Sequence, residues 1–99
     1  MKEYNNAVLM SDFLTKIREY FETTCEIKLY RFVPKVAGYE INFEAANRSF
    51  IIQLFTKETL LSSRLEIVII KDGKKFQNFI SKAPEDNEII LHNIIKLIN

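Results

Sequence analysis

Apolar side chains at Leu9, Met10, Phe13, Leu14, Ile17, Tyr20 and Phe21 recur at the three- and four-residue spacing of a helix that buries one face. Asp12, Lys16, Arg18, Glu19 and Glu22 fall on its other side, and the β-favouring run Thr23-Thr24-Cys25 ends the pattern. From Glu26 to Ser81 the period drops to two, which predicts strands with one buried face.

Two tight turns set the expected registers. Asp72-Gly73, between Lys71 and Lys74, suits a two-residue hairpin loop with positive φ. Counting outward from it places Ile69 opposite Phe76, Ile67 opposite Asn78 and Leu65 opposite Ile80 on an inner face. Ile70 with Lys75, Val68 with Gln77 and Glu66 with Phe79 then share the outer face. A second turn at Asn47-Arg48 sets Ala45 against Phe50, Phe43 against Ile52, Ile41 against Leu54 and Tyr39 near Thr56. Its outer face pairs Glu44 with Ile51, Asn42 with Gln53 and Glu40 with Phe55.

A looser connection through Pro34 and Gly38 joins this hairpin to a first strand, Glu26 to Val33. Ile27 and Leu29 point inward there, and Lys28, Tyr30 and Phe32 outward. Strict alternation would turn Arg31 inward, so a bulge at that residue, or a strand end from which the guanidinium reaches water, is expected.

Pro84 followed by Glu85, Asp86 and Glu88 has the composition of a helix start, and the last fifteen residues are predicted helical. Ile89, Ile90, Leu91, Ile94, Ile95, Leu97 and Ile98 cover more than half of that helix, and their β-branching leaves a sixth strand as the competing reading. Lys57 to Leu61 could form one helical turn. The sum is an α+β fold in the order α-β-β-β-β-β-α, an antiparallel five-stranded meander flanked by an N-terminal and a C-terminal helix. Residues 1–99 are expected to form a single domain, since that length gives one core.

Composition narrows the function classes. An apolar fraction of 47% with 27% charged residues is that of an ordinary globular chain, and a formal net charge of +1 gives no bulk field for a phosphate backbone or an anionic membrane. Unbroken apolar runs reach four residues, as at Ile67 to Ile70, well short of the roughly 20 that span a bilayer. A lone cysteine, Cys25, and the lack of a signal-like N-terminus point to the cytoplasm.

The chemistry of catalysis is thin. His92 is the only imidazole, on the polar margin of the final helix, and Cys25 reads as a small, buried, inert side chain. One Cys and one His do not supply a zinc set, and Gly38 and Gly73 stand outside any phosphate-loop pattern. No enzyme activity, cofactor or metal is expected. Lys28-Leu29-Tyr30-Arg31-Phe32 interleaves bases with aromatics as single-strand nucleic-acid platforms do, which makes a small regulator using Lys28, Arg31, Lys35 and Arg48 the alternative. Glu40 and Glu44 on the neighbouring strand oppose it.

The outer sheet face is the most informative feature. Partner-binding residues predicted there are Lys28, Tyr30, Phe32, Glu40, Asn42, Glu44, Gln53, Phe55, Glu66 and Phe79, with Ile51, Val68 and Ile70 among them. So apolar a face has three readings: the final helix crosses it and makes a three-layer domain, another protein docks on it, or two copies pair through it or through that helix. In architecture the chain is similar to small immunity proteins, phage-encoded inhibitors and secretion chaperones. The missing catalytic apparatus, small size, near-neutral charge and mixed aromatic-acidic face make a non-enzymatic protein-binding module the leading expectation, of inhibitor, immunity or anti-defence type as in those phage or mobile-element proteins, or else a chaperone-like adaptor.

Overall fold

The computed structural model describes residues 5–58 and 63–98. It has a helix α1 (Asn6–Thr23), five strands β1 (Ile27–Lys35), β2 (Gly38–Ala45), β3 (Arg48–Glu58), β4 (Ser63–Lys71) and β5 (Lys74–Ser81), and a helix α2 (Pro84–Ile98). The strands form one antiparallel sheet in sequence order. This is the α+β meander that the periodicity predicts.

Asn5 caps α1, its side-chain oxygen accepting a hydrogen bond from the Val8 amide at 2.8 Å. The helix begins three residues before the apolar stripe, at Asn6 rather than Leu9, because the cap, not the first buried residue, sets where the backbone bonds start. Leu9, Met10, Phe13, Ile17 and Phe21 are buried, and Leu14 and Tyr20 half-buried, against the sheet. The final segment is helical as predicted, not a sixth strand. Glu85 and Asp86 occupy its first turn and Lys96 its last, each sign complementing the dipole.

Both helices pack on the same side of the sheet. Ile90, Leu91, Ile94 and Ile98 of α2 join Leu9, Phe13 and Ile17 of α1 and the inner residues of the strands in one hydrophobic cluster. The fold therefore has two layers, and α2 does not roof the second face. A buried polar bridge fixes α2 against α1. The Asn87 amide donates to the Leu9 carbonyl at 3.0 Å and to Asp12 Oδ2 at 2.9 Å, while the Ser81 hydroxyl donates to Asn87 Oδ1 at 2.5 Å. Lys16 completes it, donating to Asp12 Oδ2 at 2.7 Å and to the Pro84 carbonyl at 3.0 Å.

The registers depart from the expected ones in three places, and from strict alternation in the last two. The β2–β3 turn is Ala46-Asn47, with φ of 52° and 63°, one residue earlier than Asn47-Arg48. Phe43 therefore faces Phe50, Ile41 faces Ile52 and Tyr39 faces Leu54. The pairing moves by two, so every side chain keeps its predicted face. Placing Asn47 second in the loop gives it a left-handed conformation it tolerates well.

In β5 the Asp72-Gly73 turn forms as predicted, and Lys71 pairs with Lys74 and Ile70 with Lys75. A bulge then skips Phe76, so Ile69 pairs with Gln77, Ile67 with Phe79 and Leu65 with Ser81. The strand beyond the bulge is turned over. Phe79 packs on the core, and Ile80, predicted inward, faces out and is 38% exposed. The slip keeps the Asn78 amide out of an apolar interior and brings in Ser81, which finds Asn87.

In β1 the bulge comes two residues before Arg31: Lys28 pairs with Glu44 and Arg31 with Asn42, leaving Leu29 and Tyr30 opposite Phe43. Leu29 takes a φ of 52° and is exposed, not inward as predicted. After the bulge Arg31 points out and Phe32 points in, opposite Ile41. Lys57 and Glu58 are paired as strand with Arg64 and Ser63, and the rest of the predicted helical turn, through Leu61, lies outside the described residues.

Candidate functional site

The outer face is built from alternate residues of the five strands. One row across the sheet runs Arg31, Asn42, Ile51, Ile70, Lys75, and the next runs Val33, Glu40, Gln53, Val68, Asn78. A third row brings Lys35, Gly38, Phe55, Glu66 and Ile80 together. Among the described residues neither helix contributes to the opposite, uncovered side. Val68 is 5% exposed although it lies outside the main core, because Gln53 and Asn78 flank it across the strands and Ile70 lies beside it along its own. Ile51 and Ile70 face each other and are half-buried. This gives the middle of the face an apolar centre.

Charges of both signs frame it. Lys35 reaches Glu40 at 3.7 Å, and the Asn42 amide donates to Glu40 at 3.4 Å. Lys28 sits opposite Glu44 on the paired strands. Phe55 is the aromatic residue of the face, beside a recess of about 440 Å³ lined by Lys35, Val36, Glu40 and Gln53. Gly38 is required next to it, since a Cβ there would lie 1.7 Å from the Leu54 carbonyl oxygen.

Lys28, Glu40, Asn42, Glu44, Gln53, Phe55 and Glu66 thus share the outer side, as the alternation predicts. Three residues predicted there do not. Phe32 and Phe79 pack against the core, and the Tyr30 ring lies 5.2 Å from Phe21 of α1, on the helix side. The two bulges cause all three reversals, and they bring out Arg31, Val33, Asn78 and Ile80 instead. Arg31, a charged residue that strict alternation would turn inward, is the one sign of them in the sequence. Phe32 finds a different partner on the helix side, with the Arg18 guanidinium 4.5 Å above its ring.

Two of the four basic residues of the nucleic-acid alternative are engaged by carboxylates. Arg48 bonds Asp72 at 3.1 Å, and Lys35 pairs with Glu40. The Asp72 carboxyl is held below its ordinary range, first by the Ser49 amide that donates to it at 3.1 Å and then by Arg48. Burial raises the Tyr20 phenol, and Glu26 adds to the shift. Cys25 is exposed at the α1–β1 junction, where a buried thiol was predicted. His92 is exposed on α2, in a shallow recess with Glu88, Asn93 and Lys96. Among the described residues no three His, Cys, Asp or Glu side chains group to hold a metal ion, and no helix is long and apolar enough to cross a membrane.

None of the protein families, curated proteins or solved structures compared with the chain matches it.

Proposed function

We propose that the chain is a non-enzymatic protein-binding module that acts by surface complementarity through its outer sheet face, as inhibitor, immunity and anti-defence proteins do. One observation carries the reading: both helices pack on the other side, which leaves Ile51, Ile70 and Phe55 on an uncovered sheet surface above the buried Val68. An apolar centre inside a mixed-charge rim is the anatomy of protein interfaces. Phe55, with a recess at its side, is the anchor of this surface. Framing pairs such as Lys35–Glu40 set register and exclude wrong partners rather than add much affinity.

Site-specific photocrosslinking tests the reading. A crosslinker at Gln53, on the outer face and away from both sheet edges, is expected to capture one specific protein, and the same group at Arg18 on α1 is not. Phe55→Ala is expected to weaken the captured complex by about 2 kcal/mol, roughly thirtyfold, as loss of an interface anchor does. Equal capture from Arg18, or binding indifferent to Phe55→Ala, overturns it.

A further inference from the structure

The two edges of the sheet are built differently. β1 is blunted: Leu29 and Tyr30 form a bulge, and Pro34 lacks an N–H. β5 carries its bulge next to the turn, which leaves Gln77 to Ser81 regular, free of proline and, among the described residues, paired only with β4. Lysines at an edge ordinarily serve to prevent pairing, and Lys74, Lys75 and Lys82 fit that role. Exposed apolar side chains do not serve it, yet Phe76 (51% exposed) and Ile80 lie on this strand and Ile89 (62% exposed) on the adjoining helix.

At the end of β5 the surface is concave. A pocket of about 390 Å³ is lined by Ile80, Ile89 and Ile90, with Arg64, Lys82 and Asp86 around them. Asp86 is already engaged, since its carboxylate accepts the Lys82 amide at 2.9 Å, and Glu66, opposite Ile80, has a partner of its own. Arg64 Nε is buried and has no hydrogen-bond partner among the described residues. The cationic side chains of Arg64 and Lys82 beside an apolar floor suit a carboxylate attached to an apolar chain.

We propose that β5 is a strand-addition site: an extended partner segment of alternating apolar and acidic residues pairs with Gln77–Ser81 and seats an apolar side chain and a carboxylate in the Ile80–Ile89–Ile90 pocket, against Arg64 and Lys82. In strand addition the main-chain bonds supply affinity and the pockets for alternate side chains supply specificity. The charge of the edge selects against a second copy, because antiparallel β5–β5 pairing centred on Phe79 would set Lys82 across from Phe76, next to Lys74 and Lys75. The site is separate from the outer-face centre, so either can fail alone.

The test titrates the isotope-labelled full chain with a short synthetic peptide alternating Val and Glu. Amide shifts and slowed hydrogen exchange are expected at Gln77 to Ser81, with methyl shifts at Ile80 and Ile89 and none at Ile51 or Val68. A Val–Lys peptide, and the Val–Glu peptide with alternate amides N-methylated along one edge, are expected to bind at least about tenfold more weakly. Lys82→Glu, at an exposed position, is expected to weaken binding by a similar factor while leaving the free spectrum folded; Arg64→Gln gives a second reading of the same pocket. No shift at β5, equal binding of the N-methylated peptide, or shifts centred on Ile51 and Val68 overturns the proposal. Protection of β5 that appears without peptide and grows with protein concentration also overturns it, in favour of self-pairing.

Discussion

Phe43 and Phe50 stack across β2 and β3 with ring centroids 5.2 Å apart and planes only 8° apart. Phe21 of α1 closes on Phe43 at 4.9 Å, tilted by 54°, so the pair joins the β2–β3 hairpin to the helix layer. Both rings are 2% exposed. Either ring changed to Ala is expected to cost about 3–5 kcal/mol from lost burial and the cavity left behind. The double change is expected to cost less than the sum by about 0.5–1.5 kcal/mol, the usual value of an aromatic pair. Urea unfolding of the four proteins in the cycle measures this, and strictly additive losses would contradict the observed pairing.

Asn87 gives a second expectation, this time with a pH dependence. Its amide donates to Asp12 and to the Leu9 carbonyl, and the side chain is fully buried. Asn87→Asp keeps the shape, removes both donated bonds and sets a carboxylate against Asp12 Oδ2. Burial and the like charge raise the folded-state pKa of the new carboxyl above its unfolded value. The folded state then holds its proton more tightly, so the variant regains stability as pH falls through that raised pKa and loses it as pH rises. At neutral pH the cost is expected to exceed that of Asn87→Ala, which is about 1–3 kcal/mol for lost bonds in a dry site. Denaturant midpoints at neutral and acidic pH separate the two. A variant insensitive to pH would mean that Asn87 is not in contact with Asp12.

The element order was legible because each signal is local: the stripe from Leu9 to Phe21, the Asp72-Gly73 turn and the acidic start after Pro84 each need only a few residues. The faces of β2, β3 and β4 were legible as well, since an error of one residue in the Asn47 turn moves the pairing by two and returns each side chain to its side. Faces in β1 and β5 were not. The bulge at Phe76 leaves no mark in the pattern, because beyond it apolar residues stand at both parities, as Phe79 and Ile80 do. The choice between them is made by distant groups, namely Asn87 waiting for Ser81 and Phe21 waiting for Tyr30 and Phe32. The uncovered state of the outer face was equally out of reach, because α2 is apolar enough to suit either side and its Asn87 bridge to α1 settles which.

The bulge at Phe76 can be tested by two adjacent substitutions whose effects it exchanges. Counted straight from the turn, Ile80 would be buried and Phe79 exposed; with the bulge, Phe79 faces Ile67 in the core and Ile80 faces out beside Glu66. Phe79→Asp would place a carboxylate against Ile67 and the helix layer, where desolvation has no compensating partner, so a loss of several kcal/mol or outright unfolding is expected. Ile80→Asp removes one partly exposed side chain and adds a charge that water still reaches, for an expected loss of about 1 kcal/mol or less. Thermal unfolding of the pair, with Val68→Asp as a buried control on the other face, reads the register directly. Since Phe79 and Ile80 differ by one position and share β propensity, the asymmetry can come only from which side of the sheet each one faces, and a reversed order would return β5 to simple alternation and close the pocket beside Arg64.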